Sequence, residues 1–276
     1  VALMEDDIFH IKTIQPFLVF ETKKFYQRVI ASCGISHFYS FRGSDKTVSV
    51  PFLADGCSNI IFCYDRGNVN AYVLGQTVEQ GVFTIKSGAD YFGIRFQPGE
   101  NPCFEELDVK DMAGKELLLS DFSDMRLLIE KMAEQTTFTT RMCTFMEEYR
   151  HYRNKKVSSQ HQLYRQIIRL IVAKKGMLKI TELEVLTGYS ARYINHIFEN
   201  HSGMSAKQFC GIVRIQFVVS EMNKGNVSSF SKLASDYRYY DQAHFIHEFK
   251  QYTGKTPSEY SAEVERCSYK ANVINI

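Results

Sequence analysis

Long apolar runs are missing from this sequence of 276 residues. No run approaches the roughly 18 to 20 consecutive apolar residues that a membrane-spanning helix needs. The N-terminus also lacks the charged and then apolar order of a secretory signal peptide. These absences predict a soluble protein of the cytoplasm that does not contact a membrane. With 45% hydrophobic residues, the chain is long enough for two globular domains.

Paired cysteines and clustered histidines are missing as well. The seven cysteines are an odd number and form no C-x-x-C pair, which excludes a disulfide framework and the usual ligand spacing of zinc. The first half contains only two histidines, His10 and His37, so it lacks the metal-binding His and Glu set of cupin enzymes. Motifs for nucleotide binding or a nucleophilic serine do not occur. The sequence therefore predicts a protein without enzymatic activity, metal or cofactor.

Charge is distributed unevenly along the chain. Its 33 Lys and Arg against 31 Asp and Glu give a net charge of only +2. Residues 155–276 carry net +7, however, and residues 1–154 carry net −5. A surplus of positive charge favours contact with phosphate groups, although the net charge alone does not show whether the basic side chains cluster on one surface. The basic half is therefore the candidate for nucleic-acid binding.

The basic half contains a repeated helical pattern. The segments Ile180–Asn200 and Phe230–Gln251 each predict a short helix, a tight turn and a second helix, and Ser205–Lys224 predicts one long helix between them. This arrangement is a duplicated helix-turn-helix, in which the second helix of each unit enters a DNA major groove. The sequence therefore predicts a protein that reads DNA.

Caps and apolar stripes support this interpretation. Ser190 and Asp241 are placed to cap the two recognition helices, and Thr181 and Glu184 are spaced as a capping box for the first helix. The predicted packing stripes are formed by Ile194, Ile197 and Phe198 in the first unit and by Phe245, Phe249 and Tyr252 in the second.

The segments Asp241–Lys250 and Gly254–Tyr260 resemble the signature of the AraC/XylS family of bacterial transcription regulators. The resemblance covers roughly residues 160–262 and implies a seven-helix domain that presents both recognition helices to successive major grooves. It also implies an activator whose partners are double-stranded DNA and RNA polymerase. By position, the family's base-reading residues correspond to Arg192, Asn195, His196, Gln242, Ala243 and His247. Candidate phosphate contacts are Lys207, Arg214 and Lys250.

This sequence departs from the family pattern at four positions. His196 and His247 stand where the family usually has Arg, which puts guanine reading or phosphate binding there in doubt. Ala206 replaces a common Pro, and Arg238 replaces the turn glycine that Gly188 supplies in the first unit.

The acidic half contains short aromatic and β-branched segments separated by turns, a pattern typical of an antiparallel sandwich or barrel. The segment Arg95–Gly99 resembles the N-terminal region of AraC-like regulators in which a small cupin-like barrel precedes the DNA-binding domain. In such a barrel, candidate effector-binding residues are Phe62, Tyr64, Tyr72, Phe83, Tyr91 and Arg95. Alternatively, these aromatic residues only fill the interior. A buried Arg95 needs a carboxylate partner, from the protein or from a ligand.

The sequence thus predicts an α+β chain in three parts. These are a cupin-like antiparallel β-barrel over residues 1–120, a helical linker or dimerisation region over residues 121–153, and a tandem helix-turn-helix domain over residues 158–264. Helices are expected at residues 123–134 and 138–152, followed by a polar linker at residues 154–159. Two functions remain open for the first part. In one, it is a barrel that senses a small-molecule effector or mediates homodimer formation; in the other, it is a protein-interaction module without a ligand.

Overall fold

The computed structural model describes residues 15–77, 79–102, 104, 112, 114–152, 158–225, 227–267 and 269–276. His10 and most of the predicted linker at residues 154–159 therefore lie outside the described residues. The predicted α+β class is confirmed: β-strands dominate the N-terminal region, and helices follow in the C-terminal region.

The N-terminal region is built on a large sheet of seven strands. The strands are β1 (Phe25–Ser32), β2 (Ile35–Arg42), β4 (Asn59–Asp65), β5 (Asn68–Leu74), β7 (Asp90–Phe96), β8 (Glu116–Leu118) and β9 (Val273–Asn275). Their order in the sheet is β8-β5-β4-β7-β2-β1-β9, and neighbouring strands are antiparallel except β1 and β9, which run parallel. The described strands form an open sheet and not a closed barrel.

A second sheet contains two antiparallel strands, β3 (Val48–Phe52) and β6 (Gly81–Ile85). Its apolar residues pack against one face of the large sheet, where the rings of Phe83 and Tyr91 meet edge to face at 5.8 Å. A tight turn at residues 65–68 joins β4 to β5. Arg66 and Gly67 adopt positive φ angles of 49° and 83°, as a two-residue hairpin turn requires.

Helices cover the other face of the large sheet. Helices α2 (Arg126–Ala133) and α3 (Phe138–Tyr152) form this cover. The short helix α1 (Pro16–Phe20) precedes the strands in the chain and buries its residues on the first face, in the cluster that includes the second sheet. Leu128, Met132, Phe145 and Tyr149 are buried in one cluster with Phe38 and Phe92 of the sheet. The two predicted helices therefore exist, and they bury their apolar sides against the sheet of their own chain.

Among the described residues, the C-terminal region contains the seven helices that the family resemblance implies and a further short helix at its end. They are α4 (Ser159–Ala173), α5 (Ile180–Thr187), α6 (Ala191–Ser202), α7 (Ala206–Asn223), α8 (Phe230–Asp236), α9 (Gln242–Thr253), α10 (Pro257–Arg266) and α11 (Tyr269–Asn272). Among the residues that the structure describes, no helix combines the length and the apolar composition that crossing a membrane requires.

The two regions share one apolar core. Phe17, Leu53 and Ala54 of the N-terminal region belong to the same buried cluster as Phe209 and Tyr260 of the C-terminal region. The last strand, β9, also crosses over to pair with β1 at the edge of the large sheet. The helical region therefore packs against the N-terminal region and also contributes one strand to its large sheet. A domain boundary near residues 153–158 stays a proposal.

Candidate nucleic-acid interface

Helices α5 and α6 form the first helix-turn-helix unit. Helix α5 ends at Gly188, whose φ of 75° is left-handed, and Ser190 then caps α6 by accepting a hydrogen bond from the Tyr193 amide at 3.3 Å. Ile194, Ile197 and Phe198 are buried as predicted. This unit therefore places the opposite side of α6 outward.

The predicted capping box between Thr181 and Glu184 is wrong. The N-cap of helix α5 is Lys179, two residues before Thr181, and the carboxylate of Glu182 accepts from the Lys179 amide at 2.7 Å. Glu184 instead accepts from the Ala191 amide at 2.7 Å. That carboxylate satisfies a free amide at the start of α6 and so links the first helix of the unit to its recognition helix.

Helices α8 and α9 form the second unit in the same way. Asp241 caps α9 by accepting from the His244 amide at 2.7 Å, and Phe245, Phe249 and Tyr252 are buried. After α9, helix α10 begins with a capping box, in which Thr256 and Glu259 satisfy each other's amides and Pro257 lies in the first turn.

The long helix α7 holds both recognition helices. At its N-terminus, the Ala206 amide donates to the Asn195 side chain of α6 at 3.1 Å. In its middle, Arg214 lies 3.5 Å from the Glu248 carboxylate of α9. Its 18 residues span about 27 Å at about 1.5 Å per residue. The two units are therefore joined by a buried, regular spacer slightly shorter than one turn of DNA, which is about 34 Å.

Most of the predicted base-reading residues lie on the outward faces. Arg192, His196, Gln242, Ala243 and His247 are exposed. His196 also lies 3.0 Å from the Asn200 side chain. Asn195 is only half-buried and uses its side-chain oxygen to cap α7, so the remaining NH₂ group is what it can offer to a base.

The three predicted phosphate contacts divide into two groups. Lys207 and Lys250 are exposed. The Arg214 side chain is only 17% exposed, lies 4.7 Å over the Tyr239 ring and pairs with Glu248. Arg214 therefore stabilises the contact between α7 and α9, which corrects its assignment to the outer surface.

The predicted effector-binding residues do not share one cavity. Tyr72, Phe83 and Tyr91 lie between the two sheets, whereas Phe62 and Tyr64 lie on the opposite face, toward helices α2 and α3. The reason is strand alternation: Phe62 and Tyr64 are even-numbered residues of β4, and the odd-numbered Ile61 and Cys63 point between the sheets. The Tyr64 hydroxyl donates to the Met132 carbonyl of α2 at 3.1 Å.

Arg95 is buried and paired within the protein. Its guanidinium donates to the Asp55 carboxylate and, at 3.2 Å, to the Asn59 side chain. Asp55 also accepts from the Cys57 amide at 2.8 Å. Beside Arg95 lies a cavity of about 20 Å³, which Tyr269 and Val273 of the C-terminus help to close. This space holds about one water molecule and no organic ligand.

Sequence reasoning missed the loop that connects the sheet with the first helix-turn-helix unit. After β7, Glu100 pairs with Arg165 of α4 at 2.8 Å, and the side-chain Nδ2 of Asn101 donates to the His201 carbonyl of α6 at 3.2 Å. Gly99 approaches α4 so closely that a Cβ there would overlap the Ile168 side chain. The segment had a visible signal, since Gln97, Pro98 and Gly99 carried the resemblance to AraC-like N-terminal regions.

Two family models match parts of the chain. Residues 183–263 match the family described as a helix-turn-helix domain, and residues 32–117 match a family described as a domain of unknown function. No curated protein sequence matches the chain.

The chain is also similar to solved structures of ToxT from Vibrio cholerae. One has 12% sequence identity and a TM-score of 0.46, covering 82% of this chain and 97% of that chain. A second has 12% identity and a TM-score of 0.42, covering 87% of this chain and 96% of that chain. A third, of ToxT bound to an unsaturated fatty acid, has 12% identity and a TM-score of 0.41, with coverage of 81% and 93%.

Proposed function

We propose that this chain is a DNA-binding transcription regulator and that its C-terminal region is an AraC-type helix-turn-helix domain. It reads two short elements in successive major grooves of double-stranded DNA. The observation that carries the proposal is the pair of recognition helices held by one buried helix, α7, with Arg192, His196, Gln242 and His247 on exposed faces. Helix α6 would read one element and α9 the other.

Each residue has a proposed role. Arg192 donates to a guanine edge, and Gln242 forms paired hydrogen bonds with an adenine. His196 and His247 contact bases or phosphates at the next turn of each helix. Lys207 and Lys250 neutralise phosphates and contribute the salt-dependent part of the affinity. We propose that the regulator is an activator that recruits RNA polymerase and acts in the cytoplasm, where the DNA of a bacterial cell lies.

The N-terminal region has two candidate functions, effector binding and protein interaction. The packed interior of the protein favours protein interaction without a ligand bound inside. Arg95 has its carboxylate partner in Asp55, and the adjoining cavity of about 20 Å³ is too small for an effector. We propose that this region acts through protein contacts, both with its own DNA-binding region and with a second copy or another protein. The exposed side chain of Leu127 on α2, 56% accessible, supports such a contact.

A small-molecule effector would on this account occupy a different place. An open groove of about 630 Å³ lies at the end of the large sheet, lined among others by Lys24, Phe41, Tyr91 and Arg141. Ligand sites of small molecules typically measure about 300 to 1,000 Å³ and combine apolar walls with a few polar groups. Of the predicted ligand contacts, only Tyr91 lines this groove.

The test begins with duplexes selected by the full chain from a random-sequence pool. Arg192→Ala should relax base preference in one element at a cost of about 1 to 3 kcal/mol, and Gln242→Ala should do so in the other. Lys46→Ala, an exposed change in the N-terminal region, is the matched control and should alter neither element. Enrichment of no sequence by the wild-type chain, or relaxation of both elements by each variant, would contradict the proposal.

A further inference from the structure

The turns of the two helix-turn-helix units differ in length by one residue. In the first unit, the left-handed Gly188 is separated from the cap Ser190 by Tyr189 alone. In the second unit, the left-handed residue is Arg238, with φ 55°, and two residues precede the cap Asp241. The second turn therefore contains one residue that has no counterpart in the first.

The residue that follows Arg238 is folded into the protein. Tyr239 is only 7% exposed, and its hydroxyl donates to the Glu248 carboxylate at 2.9 Å. Its ring meets Phe245 edge to face at 5.2 Å and lies under the guanidinium of Arg214. Because Tyr239 fills the space beneath the turn, the additional residue is displaced outward.

That additional residue is Tyr240, whose side chain is 92% exposed. It directly precedes the cap Asp241 and the predicted base-reading residues Gln242 and Ala243, so it stands at the N-terminal end of α9. Within the part of the chain that the structure describes, no group hydrogen-bonds to its hydroxyl. Tyr189 of the first turn differs, since it is 44% exposed and its ring lies 5.2 Å from that of Tyr193.

The position determines what the phenol can reach. A helix-turn-helix inserts the N-terminal residues of its recognition helix into the major groove, so the turn before that helix lies beside the DNA backbone. Tyrosine hydroxyls donate to phosphate oxygens, and contacts of that kind fix the orientation of a protein on DNA without reading its sequence. Tyr240 thus has the chemistry and the location of a backbone contact.

We propose that Tyr240 donates a hydrogen bond to a DNA phosphate and thereby positions α9 in its groove. This inference rests on the proposed function and adds to it an asymmetry between the two units. The second recognition helix is anchored by a neutral hydroxyl on its turn, and the first has no such anchor.

The experiment compares Tyr240→Phe with wild type on two duplexes of about 30 base pairs, one selected by the full chain from a random pool and one unselected. Loss of a hydrogen bond to a charged group should weaken binding to both duplexes by roughly 10-fold or more. Because the hydroxyl is neutral, the dependence of affinity on salt should keep its slope. The matched control is Tyr189→Phe in the first turn, which should leave both affinities within about twofold of wild type.

Several outcomes would overturn the inference. Unchanged affinity of Tyr240→Phe means that the hydroxyl does not touch DNA, and a loss confined to the selected duplex means that Tyr240 reads a base. A clear drop in the unfolding temperature of Tyr240→Phe would assign the residue a structural role. Failure of the wild-type chain to bind either duplex would instead refute the proposed function, so the two failures are distinguishable.

Discussion

The Arg95 guanidinium and the Asp55 carboxylate form an ion pair that is almost completely withdrawn from solvent, with side-chain exposures of 2% and 1%. Arg95 lies on β7, and Asp55 lies in the segment that joins β3 to β4. A buried charge without a partner is costly, whereas a buried pair is close to neutral in stability. The packing of β7 against the segment between β3 and β4 therefore depends on both residues.

Removing one charge of this pair should destabilise the protein strongly. We expect Asp55→Asn to lower the free energy of unfolding by about 3 to 5 kcal/mol, because it leaves the guanidinium uncompensated. The double change Asp55→Asn with Arg95→Met should recover part of the loss. As a control, Glu221→Gln breaks an exposed pair with Lys224 and should cost less than about 1 kcal/mol. Urea unfolding measures all three, and equal effects of Asp55→Asn and Glu221→Gln would contradict the account.

Stability should fall on mild acidification because of two neighbouring histidines, His161 of α4 and His201 of α6. Burial holds the pKa of His161 and of His201 below the usual 6.5. For His161 the Glu100 carboxylate opposes this shift and Arg165 adds to it, and for His201 the neighbouring His161 adds to it. The folded state therefore binds protons less readily than the unfolded state. Above the unfolded pKa both states are neutral, and the free energy of unfolding decreases as the pH falls through that value.

Urea unfolding at about pH 7.5 and about pH 5.5 tests this prediction. Wild type should be less stable at the lower pH, and a variant with His161→Gln and His201→Gln should lose less on acidification. His247→Gln changes an exposed histidine and should behave as wild type does. An equally large pH effect in the double variant would show that other groups cause it.

Arg238→Gly should stabilise the chain slightly. A non-glycine residue at a φ of 55° costs roughly 1 to 2 kcal/mol relative to glycine, and the greater freedom of glycine in the unfolded state offsets part of that gain. We expect a net increase below about 1 kcal/mol in thermal unfolding. Gly188→Arg, the reverse change at a φ of 75° in the first turn, should destabilise. A clear loss of stability in Arg238→Gly would mean that the arginine side chain makes a stabilising contact.

The C-terminal strand should protect the edge of the large sheet. β9 pairs with Phe25, Tyr26 and Gln27 of β1, and the Ile276 amide donates to the Gln27 carbonyl at 3.0 Å. Deleting residues 273–276 should accelerate amide exchange in β1 and promote association through the unpaired edge. Asn275→Ala removes only the side-chain bond to Gln27 and should change exchange little. Unaltered exchange after the deletion would show that β9 does not hold this edge.

The elements of this fold could be predicted where local pattern determines them. Helix α3 was expected at residues 138–152 and lies there, and the caps Ser190 and Asp241 were recognised because capping depends on residues three positions apart. β9 escaped prediction because three residues carry no periodicity, and its pairing with β1 is a tertiary contact.

The candidate site could likewise be predicted only where a local sequence pattern determines it. The outward faces of α6 and α9 follow from helical periodicity, but Phe62 and Tyr64 were assigned to the wrong side of the sheet. Both faces of this sheet are covered, so its strands are apolar on both sides and alternation cannot reveal which side is which. Asp55 as the partner of Arg95, and the outward displacement of Tyr240, depend on contacts that sequence spacing does not specify.

The most direct test of the central claim varies the distance between the two selected DNA elements. Because α7 fixes the separation of the recognition helices, the full chain should bind tightly when the element centres are about 10 base pairs apart. Adding half a helical turn, about 5 base pairs, rotates one element to the opposite side of the duplex and should reduce the affinity to that of unselected DNA. Equal affinity at both spacings would contradict the account, because it would mean that only one helix-turn-helix unit reads DNA.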